Sequence, residues 1–207
     1  MAKNNAQACF DFALKHYNET VEIVKELSAI VMAVEPKFDF KIAMREYDFI
    51  LQTILLQVAI EDGQFVENEK VFIDQITTYG DVLILLNKKA KESMPTWQDI
   101  TWDSVGSLDQ EHRQKLILII VNYLGEFVKD FVGFFAIVDT HMKDRNFIEE
   151  IDDHLRAIIL AMAMIDGDEV NLDDMNADST REIVAGHNIS RALLVDRWNE
   201  VIDEYKD

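Results

Sequence analysis

Two short stretches gather the side chains most able to hold a cation. Asp62, Glu67 and Glu69 lie on one turn after an apolar run, and Asp166, Asp168, Glu169, Asp173 and Asp174 crowd a second. Carboxylates that share a turn can converge oxygen ligands on Ca²⁺ or Mg²⁺. The candidate metal ligands are therefore Asp62, Glu69, Asp166, Asp168 and Asp173, with the second turn the richer. The second turn is not an EF-hand. Counting from Asp166, the fifth, sixth and twelfth positions are Val170, Asn171 and Ala177, where that loop needs Asp or Asn, Gly and Glu. The same acids also have a purely structural use, because Asp-Gly stops a helix and acids in the next first turn suit its dipole.

Other chemistry finds less support. The five histidines, His16, His112, His141, His154 and His187, include no Glu-x-x-His pair of the kind that builds di-iron sites in helical bundles. Asp139, His141 and Asp144 form the closest polar cluster, at the end of a long helical pattern, where a histidine compensates the helix dipole. The sequence has no Gly-rich phosphate loop, no Gly-x-Ser-x-Gly elbow and no metalloprotease His-Glu motif. Cys9, the single cysteine, excludes an internal disulfide and a thiolate metal cluster. These absences point to a protein that is not an enzyme and works in a reducing compartment, the cytoplasm.

The net charge of −19, from 39 acidic and 20 basic residues, would repel nucleic acid and anionic membranes and suits a cation or a basic protein partner. Residues 144–182 alone hold 12 acids and three bases. The N-terminal stretch has no apolar signal-peptide core. Leu116–Val138 is the most apolar long run, but Glu126, Lys129 and Asp130 interrupt it, so it reads as a buried helix rather than a membrane span.

Positioning these groups requires helices. Two prolines and seven glycines in 207 residues, with apolar residues at steps of three and four, predict an all-α chain of about eight helices. In the first, Phe10, Leu14, Tyr17, Val21, Val24, Leu27, Val31 and Val34 share one face until Glu35-Pro36 ends it. Further helices are predicted over about Ile42–Glu61, Asn68–Thr78 and Val82–Lys91, with Gly80 as a C-terminal cap and Asp81 as an N-cap. After a connection at Ser93–Gly106, Ser107 and Gln110 form a capping-box pattern that opens a helix to Met142. The pattern continues over Phe147–Ile165, Asn171–Ala185 and Ile189–Tyr205.

The chain reads as one design repeated at a constant offset of 104 residues. EIVKELSAIVMAVE (22–35) aligns with EFVKDFVGFFAIVD (126–139), and eight of 19 pairs are identical between 48–66 and 152–170. Asp48/Asp152, Asp62/Asp166 and Gly63/Gly167 are among them. The boundaries are 1–92 for the first repeat, 93–106 for the connection and 107–207 for the second. Trp97 and Trp198 read as counterparts, and Phe127, Phe131, Phe134 and Phe135 as core.

Ala59-Ile-Glu-Asp62-Gly63 with Glu69, and Ala163-Met-Ile-Asp166-Gly167 with Asp173, resemble the tellurite-resistance TerB-like helical family. The resemblance covers about 30 residues of each half. Val66-Glu67 and Val170-Asn171 stand where that family often has a Ser- or Asp-Pro cap, and the doubling is a further departure. The length and apolar face of the two long first helices predict that the repeats pack through them, and the resemblance implies two four-helix repeats related by a pseudo-twofold. It also implies divalent-cation binding and a role in stress responses. The alternative is a metal-independent scaffold or adaptor, a monomer or homodimer that docks a basic partner on its acidic surface.

Overall fold

Residues Ile50–Leu56 and Ala157–Met162 are each buried without interruption over more than one turn of helix. A helix buried around its circumference must be covered on several sides, and these two form the centre of the fold. The structure, a computed structural model, describes residues 2–33, 36, 38–61, 65–142, 145–165 and 193–206. Among the described residues there are seven α-helices, one 3₁₀ turn at Val105–Ser107 and no strand. The helices are α1 (Ala2–Met32), α2 (Phe40–Glu61), α3 (Glu67–Ile76), α4 (Val82–Ser93), α5 (Gln110–His141), α6 (Phe147–Ala163) and α7 (Leu193–Lys206). The all-α class is as the periodicity predicts. No helix among the described residues is long and apolar enough to cross a membrane.

The central pair, α2 and α6, pack on each other, with α1 laid along α6 and α5 against α2 and α7. The main interface between the halves is thus α1 on α6. Packing mainly through α1 and α5, as helix length suggested, is not what forms. The reason lies in the apolar segment Ala157–Met162 of α6, buried around its circumference, which needs a cover that α2 alone cannot give. Three contacts fix the direction of α1 over α6. Asn5 Nδ2 donates to the Met164 carbonyl, His16 meets His154, and Glu26 pairs with Arg145. The two helices therefore run antiparallel.

One buried cluster extends from Cys9 to Ile202 and includes residues of every described α-helix. Phe131 of α5 sits within it, its ring 5.8 Å from Tyr47, 4.6 Å from Phe135 and 6.3 Å from Trp198. Two of the four phenylalanines predicted for the core, Phe131 and Phe135, are fully buried, and Phe127 packs at the cluster's edge.

Two predicted caps are corrected. Gln110 opens α5, and the Asp109 carboxylate accepts the His112 N–H at 2.9 Å, so Asp109 caps this helix and Ser107 belongs to the preceding 3₁₀ turn. An ionised acceptor two residues nearer the helix wins over a serine hydroxyl. Gly80 is not a left-handed cap. Its backbone is of a kind any residue adopts, but a Cβ there would lie 3.0 Å from the Asp48 Cβ and 3.1 Å from the Phe49 ring, so glycine serves close approach. Asp81 caps α4 as predicted, accepting the Leu83 N–H at 2.9 Å.

The connection at Ser93–Gly106 is held onto α4 by Asn87. Its Oδ1 accepts from Trp97 Nε1 at 3.0 Å and from the Ile100 N–H at 2.8 Å, while its Nδ2 donates to the Ile100 carbonyl. The predicted helix at Asn171–Ala185 lies outside the described residues.

Candidate metal centre

His16 and Glu19 are one turn apart on α1, a spacing that sets both side chains on one face. Packing against α6 brings His154 to the same point. His16 Nδ1 and His154 Nδ1 are 2.9 Å apart, and Glu19 Oε2 lies 3.5 Å from the first and 3.4 Å from the second. Both imidazoles are mostly buried, and the Phe12 ring packs on His16 with centroids 4.5 Å apart.

A single proton can occupy the line between the two Nδ1 atoms, so one ring donates and the other accepts. Burial holds both imidazoles in the neutral form. It pushes His16 down to about 4, with His154 adding to the effect and Glu19 opposing it. Burial likewise lowers His154, against the pull of Glu19, Asp153 and Glu150. Neutral imidazole is the form that ligates metal.

Glu19 and His154 also line a groove of about 550 Å³, with Glu22, Glu26 and Glu150 along its wall. Arg145 pairs with Glu26 of α1 and Glu150 of α6 at its edge, with its guanidinium over the Phe147 ring. The groove thus opens the His-Glu-His cluster to solvent along a wall that carries Lys15 and Glu22 as well as the Arg145 bridge.

Of the predicted ligands, Asp62, Asp166, Asp168 and Asp173 lie outside the described residues. Glu69 lies in the first turn of α3, where its Oε2 accepts the Val66 N–H at 2.9 Å, half of a capping box. Its neighbour Glu67 pairs with Lys70, which also reaches Asp103. His16, Glu19 and His154 were not predicted, because the helical-bundle metal motif is Glu-x-x-His and α1 carries the reverse, His16-x-x-Glu19. They are also invisible to the repeat, since at the 104-residue offset they correspond to Ile120, Tyr123 and Ile50.

The buried acids Asp48 and Asp152 have structural partners instead. Asp48 Oδ2 accepts the backbone N–H groups of Thr78, Tyr79 and Gly80, and Oδ1 accepts from the Tyr17 hydroxyl at 2.8 Å. Asp152 accepts from Trp198 Nε1 at 2.7 Å and Arg156 Nε at 2.7 Å. Trp97 and Trp198, read as counterparts, both bury their rings, but the first donates to Asn87 in the connection and the second to Asp152.

Comparison with known protein families, curated proteins and solved structures finds no match to this chain.

Proposed function

We propose that this chain is a non-enzymatic, acidic, cytoplasmic protein of the TerB-like type that binds divalent cations and acts in a stress response. The observation that supports cation binding is the convergence of His16 Nδ1, His154 Nδ1 and Glu19 Oε2 from two packed helices. The two Asp-Gly joints and the charge of −19 support it from the sequence, since such a field concentrates cations. In this reading the His-Glu-His cluster is one site, and the acidic joint at Asp166, Asp168 and Asp173 is a second.

Calorimetric titration of the chelator-treated full chain with Ca²⁺, Mg²⁺, Mn²⁺ and Zn²⁺ tests it. At least one ion should bind more tightly than about millimolar, a threshold of roughly 4 kcal/mol. The pairs His16→Asn with His154→Asn and Asp166→Asn with Asp173→Asn assign any binding to a site. No binding of any ion to the wild-type chain overturns the reading.

The second reading, an adaptor for a basic partner, is favoured by a different surface. Ile42, Phe38 and Phe131 form the apolar wall of a groove of about 290 Å³ that also carries Asp39, Glu46 and Asp130. Burial and the Asp130 charge raise Glu46 above the usual carboxylate range. A lysine or arginine set among apolar residues would satisfy such a wall, and capture of a basic protein that Asp130→Lys abolishes would support this alternative.

A further inference from the structure

We propose that His16, Glu19 and His154 form a single three-donor site for a first-row transition metal ion of the zinc class, with one coordination position facing the adjoining groove. The proposal rests on the cation-binding reading above and names the ion and the site.

Donor chemistry comes first. Two imidazole nitrogens and one carboxylate oxygen suit zinc, cobalt, nickel or copper, whereas Ca²⁺ seeks six to eight oxygens and Mg²⁺ an octahedron of oxygens. The Ca²⁺ or Mg²⁺ expected for the acidic joints is therefore the wrong class for this cluster.

Size gives a second argument. Bonds of about 2.0–2.1 Å at tetrahedral angles place neighbouring donors roughly 3.3–3.4 Å apart. The three separations here are 2.9, 3.4 and 3.5 Å. The donors already outline one face of a tetrahedron of the right size, and a shift of a few tenths of an ångström between the imidazoles completes it.

The scaffold holds that face in place. His16 and Glu19 are fixed to each other by one turn of α1, and α1 is fixed to α6 on both sides of the cluster. Asn5 bonds the Met164 carbonyl at one end, and Arg145 bridges Glu26 and Glu150 at the other. Such placement on rigid elements keeps the cost of organising the site small. The metal would in turn tie α1 to α6, so binding adds to the stability of the fold.

Three protein donors leave a fourth position for an exchangeable one. Glu19 and His154 line the groove, so that position faces solvent along a path with Glu22 at its wall. Because the offset partners are Ile120, Tyr123 and Ile50, the repeat supplies no second copy, and the chain takes one equivalent at this site.

The test is titration of the chelator-treated full chain with Co²⁺ followed by Zn²⁺. One equivalent of Co²⁺ should give visible bands of tetrahedral intensity that Zn²⁺ removes, and Zn²⁺ should raise the thermal midpoint. His16→Asn and His154→Asn should each weaken binding by more than the roughly 10–100-fold typical of losing an outer-shell partner. Glu19→Gln, at a half-exposed position, provides a variant whose folding is not in question and should weaken binding in the same direction. Absence of the cobalt bands, or bands untouched by all three variants, overturns the proposal. If Ca²⁺ or Mg²⁺ then still binds and Asp166→Asn with Asp173→Asn removes it, cation binding stands without this site. If no ion binds at all, both fall.

Discussion

The Tyr17 hydroxyl donates to Oδ1 of Asp48 at 2.8 Å and itself accepts the Thr78 N–H at 3.2 Å. One side chain of α1 thereby joins α2 to the turn that follows α3. Asp48 completes the junction by taking the N–H groups of three successive residues, 78–80, on its other oxygen. Backbone donors of the turn between α3 and α4 are satisfied by a buried carboxylate, which is how the chain can end one helix and start another against the core.

That carboxylate should give the fold a measurable pH signature. Burial pushes Asp48 up to about 6 from an ordinary 3.8, although the bonds from Tyr79, Tyr17, Gly80 and Thr78 oppose the shift. Between these values the folded chain keeps a proton that the unfolded chain has lost, so this group's contribution to stability falls as pH rises. The full effect is about 3 kcal/mol. His16 and His154, held neutral, act in the opposite sense, because the unfolded chain binds their protons first as pH falls. A difference between wild type and Asp48→Asn cancels the histidines. The stability of wild type relative to this variant should drop by about 2 kcal/mol from pH 4 to pH 7, less than the full effect because the unfolded carboxyl is already more than half ionised at pH 4. Denaturation curves measured at both pH values check it, and parallel stabilities would refute it.

The helix that closes the described chain is anchored by a comparable junction. Asp152 receives Trp198 Nε1–H and Arg156 Nε–H, and Arg156 also reaches Asn199. Trp198→Phe keeps the ring in the cluster around Phe131 and removes one bond, for an expected loss of about 1–2 kcal/mol. Asp152→Ala strands both donors and should cost more, about 3 kcal/mol. Urea midpoints at constant slope decide between them, and equal losses would show that the Arg156 contact contributes nothing.

What periodicity could reach was the set of helices and their buried faces, because each is written in local spacing. Val21, Val24, Leu27 and Val31 are all buried, and α4 starts after Asp81, where an N-cap aspartate places it. Asp48 and Asp152 were visible as identical residues of the repeat, but their partners come from the turn after α3 and from α7, which no local pattern connects to them. The His-Glu-His cluster was out of reach for a stronger reason. Its meeting point depends on α1 lying antiparallel on α6, and its residues match apolar or aromatic positions in the repeat.

Tyr47 supplies a test of what the core tolerates. Its ring is fully buried, and its hydroxyl, though close to the Thr20 side chain, makes no hydrogen bond of ordinary geometry among the described residues. A buried unpaired hydroxyl costs free energy, so its removal without change of shape should be neutral or favourable. Tyr47→Phe is expected to leave stability unchanged or raise it by up to about 1 kcal/mol. A thermal scan of the variant checks this, and a loss of more than 1 kcal/mol would mean that the hydroxyl has a bonded partner.

Gly80 shows two effects of opposite sign that magnitudes can separate. Replacement by alanine restricts the unfolded chain and would by itself stabilise the fold by about 0.4–1 kcal/mol. The added methyl would meet the Asp48 Cβ at 3.0 Å and the Phe49 ring at 3.1 Å. Phe49 can turn, but Asp48 is held by the bonds it makes to residues 78–80, so the strain falls on those bonds. Overpacking of this kind costs about 1–3 kcal/mol, more than the entropic gain. Gly80→Ala should therefore lose about 1 kcal/mol, the difference between the two effects. Combining it with Phe49→Leu should recover only part of that loss, because the Asp48 contact remains. Urea denaturation of the single and double variants reads both quantities. If Gly80→Ala matched or exceeded wild type, the turn would be free to move away from α2 and the Asp48 junction would be weaker than its three backbone bonds imply.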